Sequence, residues 1–501
     1  MDSQTRLGLE LIGAALALGV LGDLLLRVGP WGLNGMLWTV ALAAGVFALL
    51  HRWQPTTLRV EKWTIVAASA LAVLFLVRDA GMLKFATVIG LAAALALAAQ
   101  RIQSAFVRVD ADDPADPPGI LEVAVKAVLR LPRFVNREID WRGLSNAGRS
   151  GRAAAVGRGV VIALPVLAIF GGLLVAADAS FEALATRILN VDVTELPGHA
   201  ILTLVIACVV SAFLHGVLQR LEPPSDAGET PSRERRFALG LVEVGVVLGL
   251  VNLLFVAFLL IQVSYLFGGY GTVLGTPDLT VAEYARRGFF ELVVVVALAL
   301  PFLLGLRRLL SVQALSEMRR FRALAGFHVV LLALLLGSAA QRMVIYLRMF
   351  GLTEDRFYAS AFLIWLVFVL GWFAFTVLRD HADRFAPGAV VAGLVTIISL
   401  HAINPDSVIV RTNVARAAEG GEVDVNYLTV LSADAVPALL DAMSALPTPE
   451  QQTAARKLLD RWGSGAERSD WRMWNRSDAT ARRAVADRTP ELQQIATRAE
   501  S

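Results

Sequence analysis

Residues 239–265 read LGLVEVGVVLGLVNLLFVAFLLIQVSY, with Glu243 as the only charged side chain. A bilayer core needs about 20 mainly apolar residues in a helix, because backbone amides in hydrocarbon must be satisfied within the segment. This stretch meets both conditions, and the chain around it has the same character. Of 501 residues 56% are hydrophobic and only 18% charged, with a mean hydropathy of +0.61, whereas a soluble globular chain carries about 25% charge. That composition excludes the row of soluble domains that length alone would suggest. A net charge of +3 is too even a balance for a nucleic-acid binder, and no nucleic-acid partner is expected. Cys208, the single cysteine, lies inside an apolar run, so no disulfide framework or thiolate metal site is expected.

Working outward, eleven stretches have the composition of a span: Leu7 to Leu26, Gly32 to Leu50, Trp63 to Val77, Phe85 to Ala99, Gly159 to Asp178, Ala200 to Val217, Leu239 to Tyr265, Phe289 to Leu306, Phe327 to Tyr346, Ala359 to Val377 and Gly388 to Ile403. The third and fourth are short and separated by Arg78-Asp79-Ala80-Gly81, so they read as two spans, one hairpin or a re-entrant pair. Short loops retained in the cytoplasm are rich in Lys and Arg. With the N-terminus inside, the inner segments hold 25 Lys and Arg against 8 in the outer loops. The expected fold is therefore an all-α, polytopic transmembrane helical bundle of about 11 spans with a small C-terminal helical extracytoplasmic domain. Gly22-Asp23-Leu24-Leu25-Leu26-Arg27 offers no small-x-small cleavage site, so the first span reads as uncleaved. The expected parts are an N-terminal four-span region (1–100), a cytoplasmic linker (101–158), a seven-span membrane core (159–403) and the tail (404–501).

The linker opens on an acidic, proline-rich run, Asp110 to Pro118, that cannot bury enough surface to fold. Beyond it, Leu121, Val125, Val128 and Leu129 recur at helical spacing, with Lys126, Arg130, Arg133 and Arg137 among them. This pattern suits a helix on an anionic inner leaflet, with lipid partners near Lys126 and Arg130, and equally suits a solvated loop helix. Among the outer loops, Thr280-Val281-Ala282-Glu283 is a capping box. Gly351 predicts a left-handed end to the ninth span, and Thr353 with Glu354 and Asp355 a capped start to the tenth. From Asn404 the chain holds 12 Lys and Arg and 14 Asp and Glu. Its expected helices are Ser407 to Ala418 capped by Asp406, then Ala433 to Leu446, one from Thr448-Pro449 to Gly463, and one from Thr489-Pro490.

Four separated stretches carry a resemblance: Glu283-Tyr284-Ala285-Arg286-Arg287-Gly288-Phe289-Phe290; Gly351-Leu352-Thr353-Glu354-Asp355-Arg356-Phe357-Tyr358; Asn404-Pro405-Asp406 with Asn413-Val414-Ala415-Arg416; and Asp424-Val425-Asn426-Tyr427-Leu428 with Asp434-Ala435-Val436-Pro437-Ala438-Leu439. Over about Ser150 to Arg483 the chain resembles a bacterial family of polytopic inner-membrane proteins known only as a domain of unknown function, type 4153 or 4173. The resemblance implies a bacterial plasma-membrane protein whose last spans precede an outer helical segment. It implies no activity and no catalytic residues.

Ionisable groups inside a membrane are costly and by default point to function. Arg342 leads, because Gln341, Arg342, Tyr346 and Arg348 share one sector of the ninth span and cannot all face lipid. Glu291 is the expected partner, with Arg286, Arg287, Glu354, Asp355 and Arg356 on the same side. These residues read either as an outward arginine pocket for an anionic group or as ion pairs fastening loops and tail. Asn413 and Arg416 are the candidates for docking the tail. Glu243, Asn252 and Gln262 lie at offsets that do not line one path, so each is expected to make a single interhelical hydrogen bond. The six histidines show no metal-ligand spacing, and no GxxxxGK[ST] or GxSxG is present, so no catalytic residue, cofactor or metal is expected. The expected role is a binding, signalling or assembly component with a structured outer side and an unknown protein or small-molecule partner there. Its rival is a secondary transporter of an anionic solute.

Overall fold

The computed structural model describes residues 17–18, 20–22, 24–26, 29, 31–53, 70–110, 150–189, 239–273, 289–310, 315–463 and 470–497. Among these residues every regular element is helical, and the one bridge pair is Leu239 with Leu310. In chain order the α-helices are α1 (Leu33–Trp53), α2 (Leu74–Val77), α3 (Gly81–Asp110), α4 (Ser150–Ala177), α5 (Ala179–Leu189), α6 (Leu241–Val273), α7 (Phe289–Leu309), α8 (Leu315–Phe350), α9 (Glu354–Thr376) and α10 (Phe385–Ile403). The tail adds α11 (Pro405–Ala418), α12 (Val425–Val430), α13 (Val436–Asp441), α14 (Thr448–Trp462), α15 (Arg476–Asp487) and α16 (Thr489–Thr497).

Six helical stretches are long and apolar enough to cross a membrane: Ala155–Ala177, Leu241–Gln262, Phe289–Leu309, Ser316–Phe350, Glu354–Arg379 and Ala382–Ile403. Leu253, Leu260 and Phe368 are each more than 60% exposed, a large penalty in water and none against lipid. The eleven expected spans are not reached among the described residues. The one beginning at Ala200 falls wholly outside them and those beginning at Leu7 and Trp63 fall partly outside, and Leu33–Gly45 and Gly81–Ala94 are shorter apolar helices. The linker helix near Lys126 and Arg130 and the capping box at Thr280 also lie outside the described residues.

The chain divides into two compact units, one of 118–349 with 366–386, the other of 1–117 with 350–365 and 387–501. In the first, α4, α6, α7 and α8 pack through apolar faces, with Phe170 edge-on to Phe255 (5.5 Å) and Phe302 (5.8 Å). Gly159 admits the close approach of α4 to α6, since a Cβ there would stand 2.9 Å from Val246 Cβ. α4 and α7 run on through Pro165 and Pro301. Glu243, Asn252 and Gln262 of α6 each make their own interhelical contact. Glu243 meets Arg158 at 2.7 Å; Asn252 donates to the Leu324 carbonyl (3.2 Å) and accepts from His328 Nδ1 (2.7 Å); Gln262 accepts from Ser338 (2.8 Å). The side-chain rungs 252–328 and 262–338 share one offset of 76 residues, so α6 and α8 run parallel and α7 returns between them.

In the second unit the tail folds around its own apolar core, which includes Ile409, Leu428, Leu439, Leu458, Trp462 and Val485. The expected α11, α14 and α16 are present, α14 stopping before Gly463 as expected. Two expectations are corrected. The span Ala433 to Leu446 is not one helix, because Pro437 forces a fresh start and 3-10 turns flank α13 on both sides. Asp406 does not cap α11; Asn404 does, in the left-handed conformation (φ 58°), accepting from the Ser407 amide. Asp406 instead turns inward.

Candidate functional site

The turn Arg78-Asp79-Ala80 joins two apolar helices, and its amides point forward without intrahelical acceptors, as at any helix start. Asp434, 354 residues away from Ala80, supplies the acceptor. Its Oδ2 takes the amides of Asp79 (2.6 Å) and Ala80 (3.0 Å), and its Oδ1 takes Arg78 Nη1 (3.4 Å) and the Ser477 hydroxyl. A carboxylate also suits the positive end of α3. Asp79 in turn accepts from Lys84 Nζ (2.7 Å) and Asn475 Nδ2 (2.9 Å), while Arg78 Nε donates to the His401 carbonyl (2.8 Å). Asp434 is 4% exposed, so these charge-assisted bonds are formed out of water, where they are strongest.

Beside this hub, Asp406 is fully buried. Its Oδ2 accepts from the Ser432 amide (3.1 Å) and hydroxyl (2.5 Å), while Oδ1 has no partner. Burial pushes the Asp406 carboxyl above the usual carboxylate range; Asp434 and Asp79 push further, against the Ser432 hydrogen bonds. A carboxyl raised by folding favours the fold below its unfolded pKa, and loses that contribution as pH rises through the folded value. Protease resistance of the tail should therefore decline as pH is raised above the ordinary carboxylate range, and Asp406→Asn should remove that slope while raising resistance at neutral pH. An unchanged slope in Asp406→Asn would refute the assignment.

The loop between α8 and α9 meets the same tail. Gly351 is left-handed at φ 73°, and a Cβ there would lie 2.5 Å from Asn413 Oδ1. Asn413 uses the room to accept from the Leu352 amide (2.9 Å) and donate to the Leu352 carbonyl (2.7 Å). The Glu354 amide donates to the Tyr427 hydroxyl (2.8 Å), and Arg416 donates to the Glu422 carbonyl (2.9 Å) with its guanidinium beside Gly351. Arg356 turns back to the carbonyls of Phe350 (2.9 Å) and Gly351 (2.8 Å), closing the end of α8. Direct bonds thus join the 78–80 turn and the 351–353 loop to the same tail.

Arg342 sits in the other unit, 2% exposed. It donates to Asp178 Oδ2 (3.1 Å) and to the Ala177 carbonyl (3.0 Å). Asp178 lies where α4 breaks into α5, and its Oδ1 caps α5 through the amides of Ser180 (3.0 Å) and Phe181 (3.2 Å). Asp178, not Glu291, is thus the acid facing Arg342. Glu291 lies half-buried in the first turn of α7 and Tyr346 half-buried on α8, while Asp355 is exposed at the start of α9. Arg286 and Arg287 lie outside the described residues. Sequence reasoning missed Asp178, Asp434, Asp79, Asn475 and Ser477. For Asp178 a signal existed, since an Asp directly before Ala179-Ser180-Phe181-Glu182 is an N-cap pattern; for the others the sequence did not reveal the bonds that tie the 78–80 turn to the tail, whose partners lie more than 350 residues apart. Among the described residues no three His, Cys, Asp or Glu side chains are placed to hold a metal ion.

No curated protein and no solved structure matches the chain. A family described as Domain of unknown function (DUF4153) matches residues 65–442, beginning some 85 residues upstream of the expected start, so that it takes in the 78–80 turn as well as Asp434.

Proposed function

The chain belongs to the DUF4153 family and is a membrane protein, and on that premise we propose that it is a binding, signalling or assembly component of a bacterial inner membrane. In this reading the N-terminus is cytoplasmic and the tail extracytoplasmic, following the excess of Lys and Arg in the alternate loops. The observation that supports it is the fastening of the tail to two separate inter-helix connections through Asp434 and Asn413. A domain held that firmly presents one fixed surface, which is what recognition of a partner requires and a tethered tail lacks. Transport of an anionic solute has less support, because the arginine that would bind it is buried against Asp178. The test is complementation of a deletion strain by a chain lacking 404–501, with membrane insertion checked by reporter fusions. The truncated chain should insert and fail to complement; full complementation would overturn the proposal.

A further inference from the structure

We propose that a cleft at the base of the tail binds a phosphate group, and that the phospholipid headgroup is its source. The cleft encloses about 250 Å³, and Arg78, Asn404, Asp434, Arg476, Ser477 and Thr480 contribute to its walls. This volume falls below the roughly 300–1,000 Å³ of sites that enclose drug-sized molecules and suits a headgroup. Two arginines, Arg78 and Arg476, line the cleft with one carboxylate, Asp434, which already accepts at both oxygens. Arg78 uses Nε on the His401 carbonyl and Nη1 on Asp434, which leaves Nη2, while the exposed Arg476 has no ion-pair partner among the described residues. Arginine forks match phosphate oxygens in geometry as well as charge. Arg476 and Ser477 are also the first residues of α15, a twelve-residue helix, where the dipole favours an anion.

Independent observations put the cleft at the level of lipid headgroups. Asn404 directly follows the span Ala382–Ile403, and Val77, another wall residue, ends the apolar α2. Just before Arg476, Trp471 and Trp474 are 65% and 47% exposed, an arrangement expected of tryptophans in the aromatic belt of a membrane protein. Their segment is fixed to the start of the apolar α1, where the Leu33 amide donates to the Trp474 carbonyl (3.0 Å), and Arg472 donates to the Leu24 carbonyl (2.8 Å). An arginine-lined cleft thus opens beside two interfacial tryptophans at the end of a span. This inference does not depend on the partner-binding role proposed above.

The full-length chain, purified in dodecyl maltoside and titrated with phosphatidylglycerol, should retain the lipid in native mass spectra and should not retain diacylglycerol, which lacks the phosphate. Arg476→Glu should weaken retention about tenfold, the ratio carried by one charged hydrogen bond. Glutamate in the first turn of a helix is favourable, so this variant keeps its fold. Thr480→Tyr, which fills the cleft from an exposed position, should weaken retention similarly, with melting temperatures verifying both variants. Millimolar inorganic phosphate that displaces the lipid would identify the free ion as ligand; failure to displace it would identify the headgroup. Equal retention of phosphatidylglycerol in the wild type and both variants, or equal retention of diacylglycerol, would overturn the proposal.

Discussion

Asp434→Ala should release the tail from the 78–80 turn. The substitution leaves the amides of Asp79 and Ala80 without an acceptor at a site that is 4% exposed, and removes one acceptor each from the Ser477 hydroxyl, which keeps the Val77 carbonyl (3.0 Å), and the Arg78 guanidinium, which keeps that of His401 (2.8 Å). Removing one partner of a buried charged network costs about 3–5 kcal/mol, because the remaining groups stay desolvated and unpaired. Asp434→Asn is no conservative control, since an amide nitrogen would face donors at one of the two oxygen positions. Both variants should expose 78–84 to hydrogen exchange and sensitise 404–497 to protease, alanine at least as much as asparagine. Global stability is not a single number for a chain of two units, so the measurement is local. Exchange at 78–84 as slow as in the wild type would remove Asp434 from this role.

The second large effect concerns Arg342 and Asp178. Arg342→Met alone leaves the Asp178 charge buried, and folded yield in detergent should fall as for a loss of about 3–5 kcal/mol. Asp178→Asn alone takes the buried carboxylate away from the guanidinium and should also lower the yield. The double variant should recover most of the yield, because asparagine still offers an oxygen to the amides of Ser180 and Phe181 that cap α5. Exchanging the charges, Arg342→Asp with Asp178→Arg, should not recover it, since arginine cannot accept those amides. Rescue of Arg342→Glu by Glu291→Arg, the pairing expected from sequence, would contradict the structure.

The legible part of this molecule was what local patterns encode. Apolar runs gave the six long helices, Gly351 its left-handed turn, Thr448-Pro449 and Thr489-Pro490 their helix starts. The wheel offsets of Glu243, Asn252 and Gln262 gave three separate contacts and no common path. Legibility failed where contact depends on distant chain. Asp434 reads as one more acid in a polar tail until it meets an amide 354 residues away, and Asp406 reads as a cap because nothing local reveals that Ser432 competes for it. The partners of two arginines were hidden for the same reason: Arg356 serves backbone carbonyls beside it, and Arg342 meets an acid that the apolar-run boundaries had absorbed into a span.

The shared offset of the rungs between α6 and α8 has a consequence for sequence change. One residue inserted between Asn252 and Gln262 turns everything beyond it by about 100° and shifts it by about 1.5 Å, which pulls Gln262 off Ser338 while Asn252 stays on His328. A matching insertion between His328 and Ser338 would restore the pairing. Descent within this family should therefore admit length variation between the rungs only in compensated pairs.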